Sequence, residues 1–214
     1  MRDDASMPPT PRLDRDTIVD AALALIERDG IDALSMRRLA TELDSKPMSL
    51  YHYVPNKAEL LALVLDELAA RISWSIPDGS PRDRMIGVAM EMYTQLLRIP
   101  WIITVLREGR TTGRSALILT DSFLAAAGEA GLDRRRAFGL WRASWDLVAS
   151  EVGWQYSMSQ RPDDQRLWFQ RADSGDLAAD YPTVAALLPE WSELSRGFDL
   201  REVITDLIDG ALAR

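Results

Sequence analysis

The chain has no cysteine in 214 residues, one histidine and only two lysines. Lack of cysteine excludes disulfides, thiolate metal sites and sulfur nucleophiles together, and is compatible with a reducing compartment. One histidine cannot build a nitrogen cluster for a metal, and the carboxylates lack the spacing of an oxygen-only site. No window approaches about eighteen consecutive apolar residues, and the first dozen residues, MRDDASMPPTPR, hold no apolar signal core. The expectation is an unexported, cytoplasmic protein with no membrane partner. A Gly-x-Ser-x-Gly elbow, a P-loop and a Gly-rich strand-to-helix turn are also missing. The protein is therefore expected not to be an enzyme and to need no cofactor or metal.

What is present is ordinary folded composition, 47% hydrophobic and 27% charged, in a chain long enough for one large domain or a small one joined to a larger. The net charge of −8 would repel phosphate at long range. Residues 1–73 carry nine Lys/Arg against thirteen Asp/Glu, yet both lysines and the sole histidine fall in one stretch, SKPMSLYHYVPNK, residues 45–57, just after Arg37 and Arg38. The basic signal is a patch. Within it, Tyr53 and Lys57 have the Tyr-x-x-x-Lys spacing by which a lysine can lower a phenol's pKa. Pro55 between them and Asn56 as a helix cap argue that they do not share a helix. The blander reading is a solvated loop with Tyr51 and Tyr53 half packed.

Helical periodicity runs through most of the chain, and alternating strand patterns are missing. After a Pro-rich arm, 1–13, Asp14 can cap a helix with the stripe Ile18, Ala22, Leu25 and Ile26, stopped by Gly30. Ser35 can cap a short helix through Leu43, the break DSKP precedes MSLYHYV, and Asn56 with Glu59 opens a longer helix bearing Leu60, Leu61, Val64, Leu65 and Leu68. SIPDGSPRD, 75–83, is the first strong punctuation, and divides a domain 14–73 from another at 81–214. Further helices are expected near 81–97, 100–108, 114–130, 134–158, 183–194 and 199–213, with a long connection over 159–182. A helix, a short turn and a second helix too polar for core is the shape that enters a major groove.

The run TIVDAALALIERDGIDALSMRRLATELDSKPMSLYHYVPNKAELLALVLDEL, 17–68, resembles the N-terminal DNA-binding domain of TetR-family transcriptional regulators. The likeness lies in Ala-Ala-x-x-Leu-Ile, the Gly30 stop, Ser-x-Arg-x-Leu-Ala and Leu-Tyr-His-Tyr-x-x-Asn-Lys. Asp44 and Ser45 depart from the family's usual turn glycine and small aliphatic residue; Asp tolerates the left-handed conformation better than most residues. The resemblance implies an all-α fold: an N-terminal three-helix helix-turn-helix domain, then a helical ligand-binding and dimerisation domain. It also implies a ligand-responsive repressor of double-stranded, palindromic operator DNA. Ser35 and Arg37 would serve from the first helix of the motif, Arg37 reaching a guanine edge. Lys46, Pro47, Met48 and Ser49 would open the recognition helix, with Met48 and Pro47 limited to apolar contact such as a thymine methyl. Tyr51, His52, Tyr53 and Lys57 would hold phosphates. Arg38 reads as a surface charge, His52 as a surface group rather than a pH switch, and the arm's Arg2 and Arg12 as mobile rather than groove-bound.

Residues 81–214 resemble the family's C-terminal half in architecture only. Phe138, Trp141, Trp145, Val148 and Val152 form one stripe; Leu200, Val203, Ile204, Leu207, Ile208 and Ala211 form another. Such stripes can face the subunit's own core or a partner's helices. The family's dimerisation through its last long helices implies a homodimer, with Trp141, Val148, Val152, Val203, Ile204, Leu207 and Ile208 at the interface. Met92, Tyr93, Trp101, Val105, Phe123 and Trp145 are candidate walls of an effector pocket or simple core. Without histidine in this half, a magnesium–tetracycline complex is disfavoured against a small, weakly polar organic effector. The alternative function is a helical small-molecule-binding module without DNA regulation.

Overall fold

The computed structural model describes residues 13–107, 113–162 and 165–213. The expected arm, apart from Leu13, lies outside them. Among the described residues there is no strand. They divide into two compact units: the residues through Trp74 with Thr104–Ile118, and Ser75–Ile103 with the residues from Leu119 onward.

The first unit begins with α1 (Arg15–Asp29), where Asp14 Oδ1 accepts the Thr17 N–H at 2.9 Å. The helix ends at Gly30, whose φ of 82° suits a residue without Cβ. Ile18, Ala22, Leu25 and Ile26 are all buried. In α2 (Met36–Glu42) Ser35 Oγ accepts the Arg38 N–H at 3.2 Å, and in α4 (Lys57–Arg71) Asn56 Oδ1 accepts that of Glu59 at 2.9 Å. Each cap satisfies an N–H that the helix itself leaves unpaired. Between α2 and α3 (Pro47–Tyr53) the chain turns through Asp44 at φ 45°, and the Ser45 N–H returns to the Ala40 carbonyl at 2.9 Å.

Asp44 thus holds the left-handed conformation that its sequence context implies. That conformation costs a non-glycine residue about 1–2 kcal/mol, less for Asp, while glycine adds about 0.4–1 kcal/mol of unfolded-state entropy. Asp44→Gly is therefore expected to leave the melting temperature nearly unchanged. Asp44→Val, with its branched Cβ, should lower stability by about 1–2 kcal/mol. Thermal unfolding of the two variants checks this, and equal losses would contradict it.

Thr104–Ile118, which the sequence places in the second domain, clusters instead with the first unit. The reason is a close approach to α4. Gly113 has φ 68°, and a Cβ there would lie 3.0 Å from both the Leu65 carbonyl oxygen and Ala69 Cβ. Asp66 Oδ1 accepts the next amide, that of Arg114, at 2.5 Å. A short 3₁₀ turn, Arg114–Ala116, follows and packs on α4.

In the second unit α5 (Pro81–Arg98), α8 (Arg134–Ser159) and α12 (Leu200–Leu212) pack against one another. Ser80 and Pro81 open α5 as their sequence signature predicts. Short α6 (Ile102–Arg107) begins at the end of this unit, and α7 (Leu117–Glu129) brings Phe123 into its core, the ring 5.2 Å from that of Trp141. The expected connection over 159–182 contains a 3₁₀ turn, Trp168–Gln170, and α9 (Ser174–Leu177). Trp168 and Phe169 pack on Trp191, centroids 5.0 and 6.2 Å away, in a contact too distant in sequence for periodicity to show. The expected helix 183–194 is split into α10 (Pro182–Leu187) and α11 (Trp191–Arg196) by a 3₁₀ turn at Leu188–Glu190, where Pro189 cannot donate.

The stripes on α8 and α12 require a correction. Val148, Val152, Ile204 and Ile208, expected at a dimer interface, have no exposed surface in the single subunit. With α5, α8 and α12 packed together, that side of both stripes is consumed by the subunit's own core. Trp141, Val203 and Leu207 remain half-buried, and Phe138 is 61% exposed.

Candidate nucleic-acid interface

α3 has seven residues, too few to be stable alone. It is held by two side chains without exposed surface, Leu50 and, at its C-terminal end, Val54, and it packs on α2. That anchorage turns Pro47, Met48, Tyr51, His52 and Tyr53 outward, all exposed, with Ser49 half-buried. Met48, Tyr51 and His52 are related by three and four residues and so share one helical face. Ser35 is occupied as the α2 cap, Arg37 follows two residues later and is exposed, and Lys57 is the first residue of α4. The structure therefore brings every one of the sequence-selected DNA residues into one unit, with only Ser49 partly covered.

The unit sorts its cations by pairing. Arg28 meets Glu42 at 2.5 Å and Asp29 at 2.9 Å, Arg38 meets Asp29 at 2.6 Å, and Arg71 meets Asp20 at 2.5 Å and Glu67 at 2.7 Å. Hydrogen bonds to Glu42 and then Asp29 raise the Arg28 pKa further, and the Arg28 bond holds the Asp29 carboxyl below its ordinary value. Arg37, Lys46 and Lys57 make no ion pair with any described residue. The ion pairs of this unit thus engage Arg28, Arg38 and Arg71 and leave Arg37, Lys46 and Lys57, like Arg15 and Arg114, without an ionic partner among the described residues. Arg38, read from sequence as a surface charge, is spent on Asp29.

Tyr53 ends α3 and Lys57 begins α4, with Val54 and Asn56 extended between them. The Tyr-x-x-x-Lys spacing is thus interrupted by a helix end and cannot place the two groups one turn apart. No group of three or more His, Cys, Asp or Glu among the described residues could hold a metal ion.

A family profile described as bacterial regulatory proteins, tetR family, matches residues 18–64. An HTH-type transcriptional regulator of Saccharopolyspora erythraea is 30% identical over 190 residues, covering 84% of this chain and 76% of that protein. The chain belongs to the tetR family. The HTH-type transcriptional repressor DrrR1 of Streptomyces coeruleorubidus is 36% identical over 126 residues, covering 58% of this chain and 47% of that one. Among solved structures, the Streptomyces coelicolor TetR family protein ActR in complex with actinorhodin aligns with a TM-score of 0.72 and 25% identity, covering 95% of this chain and 96% of that one. The protein is thus a TetR-family, helix-turn-helix, DNA-binding transcriptional regulator, and its family is one of regulators rather than enzymes.

Sequence reasoning passed over Asp66 and Gly113, which fix Arg114 and its neighbours to α4. Their signal is a contact 48 residues apart, Arg114 to Asp66, that no local pattern carries. No helix among the described residues is long and apolar enough to cross a membrane.

Proposed function

We propose that the protein is a homodimeric repressor that binds a palindromic operator and releases it when a small organic effector occupies its second unit. The observation that carries the DNA half is the set Arg37, Lys46 and Lys57, without an ionic partner among the described residues, beside an outward α3 in a chain whose net charge is −8. Ser35, Pro47, Met48, Ser49, Tyr51, His52 and Tyr53 complete the contact surface. Phosphate contacts from the tyrosines and lysines set register, and Arg37 discriminates bases.

Two-fold symmetry supports the dimer, because half-sites about 34–36 Å apart need two motifs in fixed relation. The interface takes surface of α8 and α12 outside the buried stripe: Leu207 lines a groove of about 430 Å³ with Gly139, Ala143 and Gly210, and Phe138, Trp141 and Val203 are further apolar residues that these helices leave at least partly uncovered. For the effector, Met92 and Phe123 are buried and Tyr93, Trp101 and Trp145 half-buried in the second unit, whereas Val105 belongs to the first and leaves the set. Burial raises the Tyr93 pKa, and the phenol accepts a hydrogen bond from Gln155 Nε2 at 2.7 Å, so that it offers a neutral polar group to a ligand. ActR's complex with actinorhodin supports a small organic ligand for this fold. Release requires that the effector prefer the conformation that does not fit the operator, since equal affinity for both shifts nothing.

Selecting bound duplexes from random DNA with the purified protein tests this reading. The expected product is an inverted repeat whose binding falls steeply with salt, by a log–log slope of about −0.9 for each phosphate neutralised. Failure to enrich any sequence would favour the binding module without DNA regulation. A monomer in sedimentation at micromolar concentration would end the dimer.

A further inference from the structure

The boundary stretch SIPDGSPRD, 75–83, has the Ser, Pro and Gly content of a loose linker. The structure fastens it instead along α5, in antiparallel order. The Ser75 N–H donates to Glu91 Oε1 at 3.1 Å, Pro77 lies on Gly87, and Ser80 Oγ caps the helix by accepting the Asp83 N–H at 3.2 Å. A Cβ on Gly87 would stand 2.3 Å from Pro77 Cγ, so the ring fills space that only glycine leaves on that helix. Glu91 is itself held, its Oε1 also accepting from Nε2 of the buried Gln95 at 2.9 Å. Before the boundary, Trp74 Nε1 donates to the Ala69 carbonyl in the last turn of α4 at 3.0 Å, satisfying an oxygen that the helix leaves unpaired.

The division between the units falls between Trp74 and Ser75, so two consecutive residues are tied to different units. Thr104–Ile118 meets α4 through noncovalent contacts, which leaves the Trp74–Ser75 bond as the one covalent link between the helix-turn-helix residues and the second unit. Half-sites one base pair further apart are displaced by about 3.4 Å, and one extended residue spans about 3.3–3.6 Å. A single residue of slack at this link would blur one base pair of spacing. We propose that the strap 75–80, fixed on α5 through Glu91 and Gly87, sets the half-site spacing that the dimer accepts. Glu91 and Gly87 are positioning residues, acting through the strap rather than on DNA. This rests on the dimeric operator reading above.

The test measures affinity, by fluorescence anisotropy, for the selected inverted repeat and for duplexes with one base pair added or removed at its centre. The wild type should lose roughly a hundredfold or more for either change, because a second motif that cannot reach its half-site contributes no avidity. Gly87→Ala raises the helix propensity of α5 while pushing Pro77 away, and Glu91→Leu removes the acceptor of the Ser75 N–H. Both variants should bind the best duplex more weakly and lose less than about tenfold on the same changes. Glu91→Gln, which keeps an acceptor oxygen, should retain the wild-type spacing profile. A wild type that tolerates the changed spacings would overturn the proposal, as would a profile as sharp in Gly87→Ala or Glu91→Leu as in the wild type, or one flattened equally by Glu91→Gln. If the wild type enriches no inverted repeat, the dimeric operator reading fails first, an outcome distinct from a sharp profile that the strap variants share.

Discussion

Leu50→Ala should lower the stability of the first unit by about 2–5 kcal/mol and remove operator binding at temperatures where the wild type still binds. Leu50 has no exposed surface and, with Val54, fastens a seven-residue helix to the body of the unit. Deleting its three distal carbons opens a cavity at that fastening. Domains of this size hold only about 5–15 kcal/mol in all, so the loss is a large share. Because α3 cannot persist as an isolated helix, its contacts should be lost before the rest of the unit unfolds. Circular dichroism on heating gives the stability, and a DNA titration well below the variant's melting point separates loss of α3 from global unfolding. Leu50→Met, which conserves volume, should cost less than about 1.5 kcal/mol and retain binding. Wild-type stability in Leu50→Ala would mean that α3 is held by something other than this side chain.

Arg37→Ala is expected to weaken the selected operator by about 1–3 kcal/mol per half-site, hence up to about 6 kcal/mol for a two-fold complex, and to relax preference at one base pair. Its guanidinium is exposed and has no ionic partner among the described residues, so it has none to leave before reaching DNA. Lys57→Ala should instead weaken all sequences alike and reduce the salt slope by about 1 per subunit. Arg38→Ala is the internal contrast, since Arg38 is already paired with Asp29 at 2.6 Å. Exposed pairs of that kind contribute about 0–1 kcal/mol, and the operator's base preference should survive its removal. Binding isotherms at several salt concentrations against selected and scrambled duplexes distinguish the three. Equal relaxation of specificity by Arg37→Ala and Lys57→Ala would refute the assignment of roles.

Much of the DNA-binding unit was legible because its signals are local. Asp14, Ser35 and Asn56 each cap a helix within three residues, Gly30 stops one, and Asp44 takes the left-handed turn that its place between two short helices requires. The exposed residues of α3 follow from the same local pattern, since leucines at helical spacing must face inward and so turn their neighbours out. The second unit was less legible. The α8 and α12 stripes have the right period for burial, but periodicity does not say whether the burying surface belongs to the same subunit or to another, and Val148, Val152, Ile204 and Ile208 chose their own. Pro189 is visible in the sequence as a helix breaker, yet the long 183–194 pattern concealed the split it imposes.

The sequence by itself determined an all-α TetR-family chain, the position and caps of its helix-turn-helix motif, and the clustering of scarce lysine and histidine around α3. Those properties depend on residues a few positions apart, where backbone geometry leaves few choices. Only the tertiary structure decided which arginines are neutralised, which face of α8 and α12 stays outside the core, and that Arg114 is tied to α4 through Asp66. These depend on contacts between distant segments, and the same charges and apolar stripes are compatible with many such contacts until the chain is packed.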